Sequence, residues 1–214
     1  MLPFIPDAPV LIAFTLAGLV LFVTPGPDMS LWLAKTVAGG RLAGLAAATG
    51  TQLGCIAHAL LAAFGLSALI AASPSLFLAL KIAGAIYLLW LAVDAVRNGS
   101  SLNVAASAPQ GAQIWRNLFL GFMVNLSNPK VVLFFLTFLP QFVDAHDPHV
   151  AGKLLFLGIY FVVQSYPLAV LLVLGADRLV GALKRRPRVL RAIDWLFAGV
   201  FSAFAVRILA TQSR

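Results

Sequence analysis

The chain has 214 residues, of which 61% are hydrophobic and 10% are charged, and its net charge is +8. A soluble globular domain carries roughly 25% charged residues, so this composition excludes a water-soluble fold. A helix that crosses a membrane needs about 20 apolar residues, which leaves room for about six helices and little room for a separate soluble domain. The basic residues lie in loops between apolar runs, which indicates membrane topology rather than nucleic-acid binding.

Six apolar blocks follow one another along the chain and predict an all-α polytopic fold with six transmembrane helices. They cover residues 9–37, 41–72, 75–97, 114–142, 150–179 and 190–211. Thr24-Pro25-Gly26-Pro27 interrupts the first block, and Asn128-Pro129 interrupts the fourth. The polar stretch 98–113 between the third and fourth blocks is typical of a flexible linker.

Loop charge predicts the orientation of the helices, because lysine and arginine collect on the cytoplasmic side. The region around the fifth loop has six such residues between 178 and 191, and basic residues flank the loops after the first block (Lys35 and Arg41) and the third block (Arg97 and Arg116). The N-terminus and the turn after the second block have none. We therefore expect a multi-pass protein with the linker 98–113 in the cytoplasm and both termini outside.

The two interrupted blocks begin two three-helix halves, residues 1–97 and 114–214, which are predicted to be inverted repeats within one membrane domain. We align Pro25 with Pro129 as the matching breaks. Proline removes a backbone donor and disrupts the preceding turn, and the groups it frees need a polar cavity within lipid. Matched breaks of this kind point to a transporter site near the middle of the membrane. Prolines that only kink packing helices are the alternative.

Four stretches carry a resemblance to a known family. They are TPGPDM at 24–29, GTQLGCIAHALLAAFGL at 50–66, LKIAGAIYLLWLAVDAVR at 80–97 and GFMVNLSNPKVVLFFLTFLPQF at 121–142. In order and spacing these are similar to the LysE/RhtB family of amino-acid exporters, over nearly the whole chain. The resemblance implies efflux of amino acids or close derivatives across a bacterial inner membrane, driven by the proton gradient.

Asp28 and Lys130 are the principal candidate site residues, since each follows a proline break deep within an apolar block. An ionised side chain at that depth is expected to face a cavity or a partner. Our hypothesis is that Asp28 binds the substrate's α-ammonium group. Lys130 and the N-terminal ends of the half-helices would bind the carboxylate. A structural ion pair between the two side chains, or two interfacial side chains, is the alternative.

Other residues near the breaks are candidates for substrate contact or for the path. Substrate contact is expected from Pro25, Gly26, Pro27, Asn125, Asn128 and Pro129, although the asparagines could equally cap freed backbone groups. Gly50, Gly54 and Gln164 are candidates for lining the path, with a glycine packing seam as the alternative for the first two and an interhelical hydrogen bond as the alternative for Gln164. Proton coupling is assigned to Asp28 and His58, because histidine changes charge near neutral pH. A hydrogen-bonded structural histidine is the competing interpretation.

The family resemblance also bears on the substrate. Some relatives that resemble exporters of lysine or arginine have an acid near the position of Cys55, so cysteine there favours a neutral substrate, such as threonine or homoserine. The sequence contains no GxxxxGK[ST], HExxH, CxxC or GxSxG motif, so we expect no enzyme, cofactor or metal. A passive channel, an exporter of another small solute and a non-transporting membrane protein are the rival functions. A homo-oligomer remains open.

Overall fold

The apolar blocks fold into helices, and the computed structural model describes residues 3–99, 113–144, 147–176 and 187–211. The α-helices are α1 Ala8–Val23, α2 Pro27–Leu61, α3 Ser67–Ala72, α4 Pro74–Asn98, α5 Ile114–Leu126, α6 Pro129–Leu133, α7 Val150–Leu174 and α8 Pro187–Thr211. Two π-helical segments, Ala62–Leu66 and Phe134–Phe138, and one 3₁₀ segment, Leu139–Phe142, complete them. All regular structure within these ranges is helical, as predicted. Most of the linker 98–113 lies outside them.

Helix ends coincide with residues that suit helix boundaries. Ser73 caps α4, because its hydroxyl oxygen accepts a hydrogen bond from the Leu76 N–H at 3.3 Å. Pro74 follows as the first helical residue, where its missing N–H costs nothing. Gly99 ends α4 with φ of 70°, a left-handed conformation that glycine adopts without a steric penalty.

Helix α2 is a hairpin of two arms, 27–39 and 41–61, because the chain reverses at Gly40. This residue has φ of 78° and ψ of 177°, outside the helical region. The indole N–H of Trp32 donates to the hydroxyl of Thr51 at 3.0 Å. In an uninterrupted helix these residues would be about 28 Å apart, so the two arms must lie side by side. The reversal falls between the first two predicted blocks.

The lengths of these helices support a multi-pass membrane protein. Four stretches are long and apolar enough to cross a membrane. They are Pro27–Leu69, which includes the reversal at Gly40, and Ser75–Asn98, Val150–Leu174 and Arg188–Val206. The pair Ile114–Leu126 and Pro129–Phe142, bent by 54°, makes a fifth if it forms one span. Helix α1 has only 16 residues, which is shorter than the roughly 20 that a complete crossing needs. The sixth span and the inversion of the two halves stay predictions.

A cluster of phenylalanine rings holds the segment after the second break in the protein interior. Phe134, Phe135 and Phe138 are fully buried. The ring centroid of Phe134 lies 4.7 Å from that of Phe161 on α7. The ring centroid of Phe138 lies 5.0 Å from that of Phe201 on α8. In a membrane, helices associate through close packing rather than through exclusion of water. These ring contacts therefore fix the position of the second break relative to α7 and α8.

Candidate functional site

Both predicted interruptions are present, and each starts a new helix with proline. Helix α1 ends at Val23, and α2 begins at Pro27. Between them, Thr24 and Gly26 have extended backbone conformations. Helix α5 ends at Leu126, and α6 begins at Pro129. The residue that corresponds to Pro129 is therefore Pro27, which corrects the alignment of Pro25 with Pro129.

The carboxylate of Asp28 is held from the opposite break by two asparagine side chains. Asn128 donates its Nδ2 to Oδ1 of Asp28 at 2.9 Å, and Asn125 donates its Nδ2 to Oδ2 at 2.7 Å. Asn125 is fully buried, and Asn128 nearly so. These bonds join residues about a hundred positions apart in the chain, so the two breaks meet in space. Both asparagines were predicted to contact substrate, and here they position Asp28.

Lys130 reaches back across the same gap to the first break. Its ammonium group donates to the carbonyl oxygen of Thr24 at 2.6 Å. Its backbone N–H donates to Oδ1 of Asn128 at 3.1 Å, which makes Asn128 the N-cap of α6. No ion pair joins Lys130 to Asp28 within the described residues. Each charge is thus paired with neutral dipoles from the other break.

A small cavity of about 50 Å³ lies beside these bonds. A water molecule needs roughly 10–15 Å³ of such volume, so the cavity has room for a few waters. Charged and polar groups line it from both breaks, and apolar side chains complete the wall. The lining residues include Thr24, Gly26, Asp28, Asn128, Lys130, Leu21, Phe22, Met29, Val131 and Phe161. The candidate site therefore has room for only a few waters in this structure.

Several polar lining residues were missed by sequence reasoning. The cavity is also lined by Trp32, Thr51, Gln52 and Ser165. The hydroxyl of Ser165 donates to Oε1 of Gln52 at 3.2 Å, and both residues are buried. Each is a single polar residue in an apolar helix, which is a weak signal by itself. The signal that could have found part of this wall was the spacing of four residues between Thr51 and Cys55, which places two polar side chains on one face of α2.

A second and larger cavity, which we call the vestibule, lies on the other side of Lys130. It has a volume of about 360 Å³. Thr24, Gly26, Asn128 and Lys130 line both cavities and so form the wall between them. The remaining vestibule residues include Pro25, Pro27, Ser30, Asp94, Gly99 and Pro129. The prolines of both breaks therefore face the vestibule rather than the small cavity.

Gly50 and Gly54 lie where α2 crosses α5, away from the lining of either cavity. A Cβ atom on Gly50 would lie 2.0 Å from the backbone carbonyl oxygen of Leu118. A Cβ atom on Gly54 would lie 2.4 Å from Oδ1 of Asn125. Only glycine allows such close approach of two helices. The packing seam that we kept as an alternative fits these contacts, and Gly54 also leaves room for the side chain that holds Asp28.

His58 and Gln164 also lie outside the lining of the two cavities. Nε2 of His58 is 3.4 Å from the carbonyl oxygen of Asn125, and the imidazole stacks on Phe135 with ring centroids 5.6 Å apart. His58 is thus one residue removed from Asp28, with Asn125 between them. Gln164 donates its Nε2 to the carbonyl oxygen of Thr15 at 2.9 Å. That bond ties α7 to α1.

A second charged cluster lies at the start of α7, where Asp147 precedes the membrane-spanning stretch Val150–Leu174. Lys153 forms an ion pair with Asp147, and the backbone N–H of His149 donates to Oδ1 of Asp147 at 2.7 Å. The lysine hydrogen bond and then the backbone hydrogen bond hold the pKa of Asp147 below its usual range. This pair stabilises the start of α7 and has no contact with the candidate site.

Comparison with known proteins relates the chain to translocators. The sequence pattern of the LysE type translocator family matches residues 19–212. The chain is 30% identical to a leucine efflux protein of Klebsiella pneumoniae over 208 residues, 94% of this chain and 95% of that protein. It is 31% identical to an uncharacterized membrane protein of Pseudomonas aeruginosa over 199 residues, 91% of this chain and 92% of that protein. A leucine efflux protein of Enterobacter is 27% identical over 199 residues, with the same coverage. No solved structure matches.

Proposed function

Since the chain belongs to the LysE type translocator family, we propose that it exports neutral amino acids by secondary transport. The single observation that carries the proposal is the crosswise bonding of Asp28 and Lys130. Each follows the proline that restarts an interrupted helix, and each bonds to the opposite break beside a cavity. This arrangement supplies one negative and one positive group where two polypeptide breaks meet.

The partners of the two charges favour a dipolar substrate. Asp28 is held by amide N–H groups and Lys130 by a carbonyl oxygen, so neither charge is neutralised by the other. An α-ammonium group could replace the amides on Asp28, and an α-carboxylate could replace the Thr24 carbonyl on Lys130. A direct ion pair would first have to be broken, which costs about 3–5 kcal/mol when it is buried.

The side chain of the substrate is proposed to be uncharged. Asp28 is the one acid among the described residues that line the small cavity, so a second cation has no partner there. Leu21, Phe22, Met29 and Phe161 offer an apolar wall. Relatives named as leucine efflux proteins favour an aliphatic amino acid, while Gln52 and Ser165 could bind a hydroxyl group, as in threonine.

The mechanism proposed is antiport with protons through a six-helix protein of two inverted halves, with both termini outside the bacterial inner membrane. Asp28 is the proposed proton carrier, because its carboxylate would release the substrate ammonium group on protonation. His58 is proposed to assist through Asn125, which contacts both residues. Neither step involves a cofactor or a metal.

The test is leucine efflux from proteoliposomes with an imposed pH gradient. Asp28→Asn and Lys130→Gln are expected to abolish concentrative efflux. Asp147→Asn and Lys153→Gln make the same charge changes in an ion pair outside the site and serve as matched controls. Normal efflux by both site variants would end the proposal. Efflux that never exceeds equilibration would instead identify a passive channel.

A further inference from the structure

We infer that the vestibule is a separate binding site for the amino acid, in which Asp94 binds the α-ammonium group and Lys130 the α-carboxylate before transfer to Asp28. This inference rests on the proposed function, since it takes a zwitterionic amino acid as the substrate. It adds a site and a residue, Asp94, that the export proposal does not need.

The size of the vestibule suits such a role. Its volume is about 360 Å³, against about 50 Å³ for the small cavity. The typical range for small-molecule pockets begins at about 300 Å³. In this conformation, therefore, an amino acid fits the vestibule and does not fit beside Asp28.

The vestibule has opposite charges on opposite elements. Asp94 and Gly99 line it from the C-terminal end of α4, while Pro27 and Ser30 line it from the N-terminal end of α2. The C-terminal end of α4 carries partial negative charge, whereas Asp28 in the first turn of α2 offsets the partial positive charge of that terminus. Asp94 adds a full negative charge to the first side, and Lys130 adds a full positive charge near the second. A zwitterion would align with this field in one orientation.

The hydrogen bonds of Asp94 leave it able to accept a cation. Its Oδ1 accepts a hydrogen bond from Nδ2 of Asn98 at 2.6 Å. In the part of the chain that the structure describes, Oδ2 of Asp94 has no hydrogen-bond partner. A half-buried carboxylate with one oxygen free can take an ammonium group without losing its existing bond.

Lys130 connects the vestibule to the small cavity. It lines both, and its bond to the Thr24 carbonyl closes the wall that Gly26 and Asn128 complete. A carboxylate that attracts Lys130 from the vestibule would compete with that carbonyl and so open the wall. The same ammonium group could then stay with the carboxylate as the amino acid passes toward Asp28.

The vestibule also lies on the side from which an exporter receives its substrate. It includes Gly99, the residue that ends α4. Arg97 precedes this end and Arg116 follows the linker 98–113, which places a basic residue on each side of the predicted cytoplasmic loop. By the charge rule this end of α4 faces the cytoplasm.

Leucine transport by inverted vesicles, with leucine added on the cytoplasmic face, tests the inference. Asp94→Asn is expected to raise the half-saturating leucine concentration about tenfold, as for one lost charged hydrogen bond, with little change in maximal rate. Asp94→Glu should restore most of the affinity. Asn98→Ala removes the hydrogen bond from Asn98 to Asp94 while keeping the charge of Asp94, and Asp147→Asn repeats the charge change elsewhere. Both should leave the half-saturating concentration near that of the unaltered protein.

A second measurement separates binding from a structural effect. The amine 3-methylbutylamine and the acid 4-methylpentanoate each present one charge of leucine. With Asp94→Asn, inhibition by the amine should fall while inhibition by the acid persists. Unchanged amine inhibition, or an Asn98→Ala variant as impaired as Asp94→Asn, would overturn the inference. If the unaltered protein moves no neutral amino acid, the proposed function fails instead, before Asp94 is tested.

Discussion

Asp28 and Lys130 occupy the same position in the two interrupted helices, and each bonds to the other's break rather than to the other's charge. Asp28 accepts from Asn125 and Asn128, and Lys130 donates to Thr24. The two charged side chains therefore connect the two breaks through charge–dipole contacts. Such contacts can be exchanged for those of a substrate one at a time, which a direct ion pair would not allow.

Asn128 has two tasks that substitutions can separate. It caps α6 through Oδ1 and holds Asp28 through Nδ2. Asn128→Ala removes both contacts, and we expect a loss of about 1 kcal/mol from the cap and about 1.5–3 kcal/mol from the charged hydrogen bond. Asn128→Asp keeps a capping oxygen but places a second carboxylate against Asp28, so export should be lost with the cap preserved.

Thermal unfolding in detergent and vesicle efflux measure these two effects. Ser73→Ala is the matched control, because Ser73 caps α4 away from the site. Ser73→Ala should lower the free energy of unfolding by about 1 kcal/mol, the value of one helix cap, and leave efflux intact. Efflux by Asn128→Asp at the normal rate would contradict the role given to Nδ2.

Two glycines of α2 are expected to fail in different ways when changed to alanine. A Cβ on Gly54 meets the side chain of Asn125, and a Cβ on Gly50 meets the backbone of Leu118. A side chain can move and a backbone cannot, so Gly54→Ala should displace Asn125 from Asp28 and reduce export while the protein still folds. Gly50→Ala should separate α2 from α5 and reduce the yield of folded protein. Gly199, with open space around it, gives the control Gly199→Ala.

Folded yield by size-exclusion chromatography, together with efflux per folded molecule, tests this pair. Gly54→Ala should retain the monodisperse peak and lose most efflux. Gly50→Ala should lose the peak. Equal behaviour of the two variants would show that Asn125 is not the point through which Gly54 matters.

Particular residues show how far the sequence could predict this structure. Proline with an adjacent charge marks both breaks, because an ionised group and a missing donor are each unusual in an apolar helix. The equivalence of Pro27 with Pro129 depends on which proline starts the helix, and two candidates stand two residues apart. The bonds from Asn125 to Asp28 join residues 97 positions apart. Local pattern cannot predict such bonds, because helix packing decides them.

The same limit explains the missed side of the cavity. Gln52 and Ser165 lie on α2 and α7, and each looks like an ordinary interhelical polar residue until the other is seen beside it. Gln164, which precedes Ser165 in the sequence, was the predicted path-lining residue, but its side chain donates a hydrogen bond to α1 instead. Adjacent residues on a helix differ in direction by about 100°, so one position decides whether a side chain faces the cavity.

Gln52 is expected to influence which neutral amino acid is preferred. It lines the small cavity with Ser165. Gln52→Leu removes a hydrogen-bonding group there, so threonine should lose affinity relative to leucine by about two- to tenfold, the value of one neutral hydrogen bond. Competition of each amino acid against labelled leucine efflux measures the ratio. Gln164→Leu, outside both cavities, should leave the ratio unchanged, and a ratio unmoved by Gln52→Leu would remove this residue from selectivity.

His58 is expected to affect proton coupling more than substrate movement. Its Nε2 lies 3.4 Å from the carbonyl oxygen of Asn125, whose amide holds Asp28. His58→Gln keeps a hydrogen-bonding side chain but cannot become charged near neutral pH. Leucine should still run down its own gradient in this variant, whereas accumulation driven by a pH gradient should fall. His149→Gln changes a histidine outside the predicted spans and should alter neither rate. Full pH-driven accumulation with His58→Gln would leave Asp28 as the sole proposed carrier.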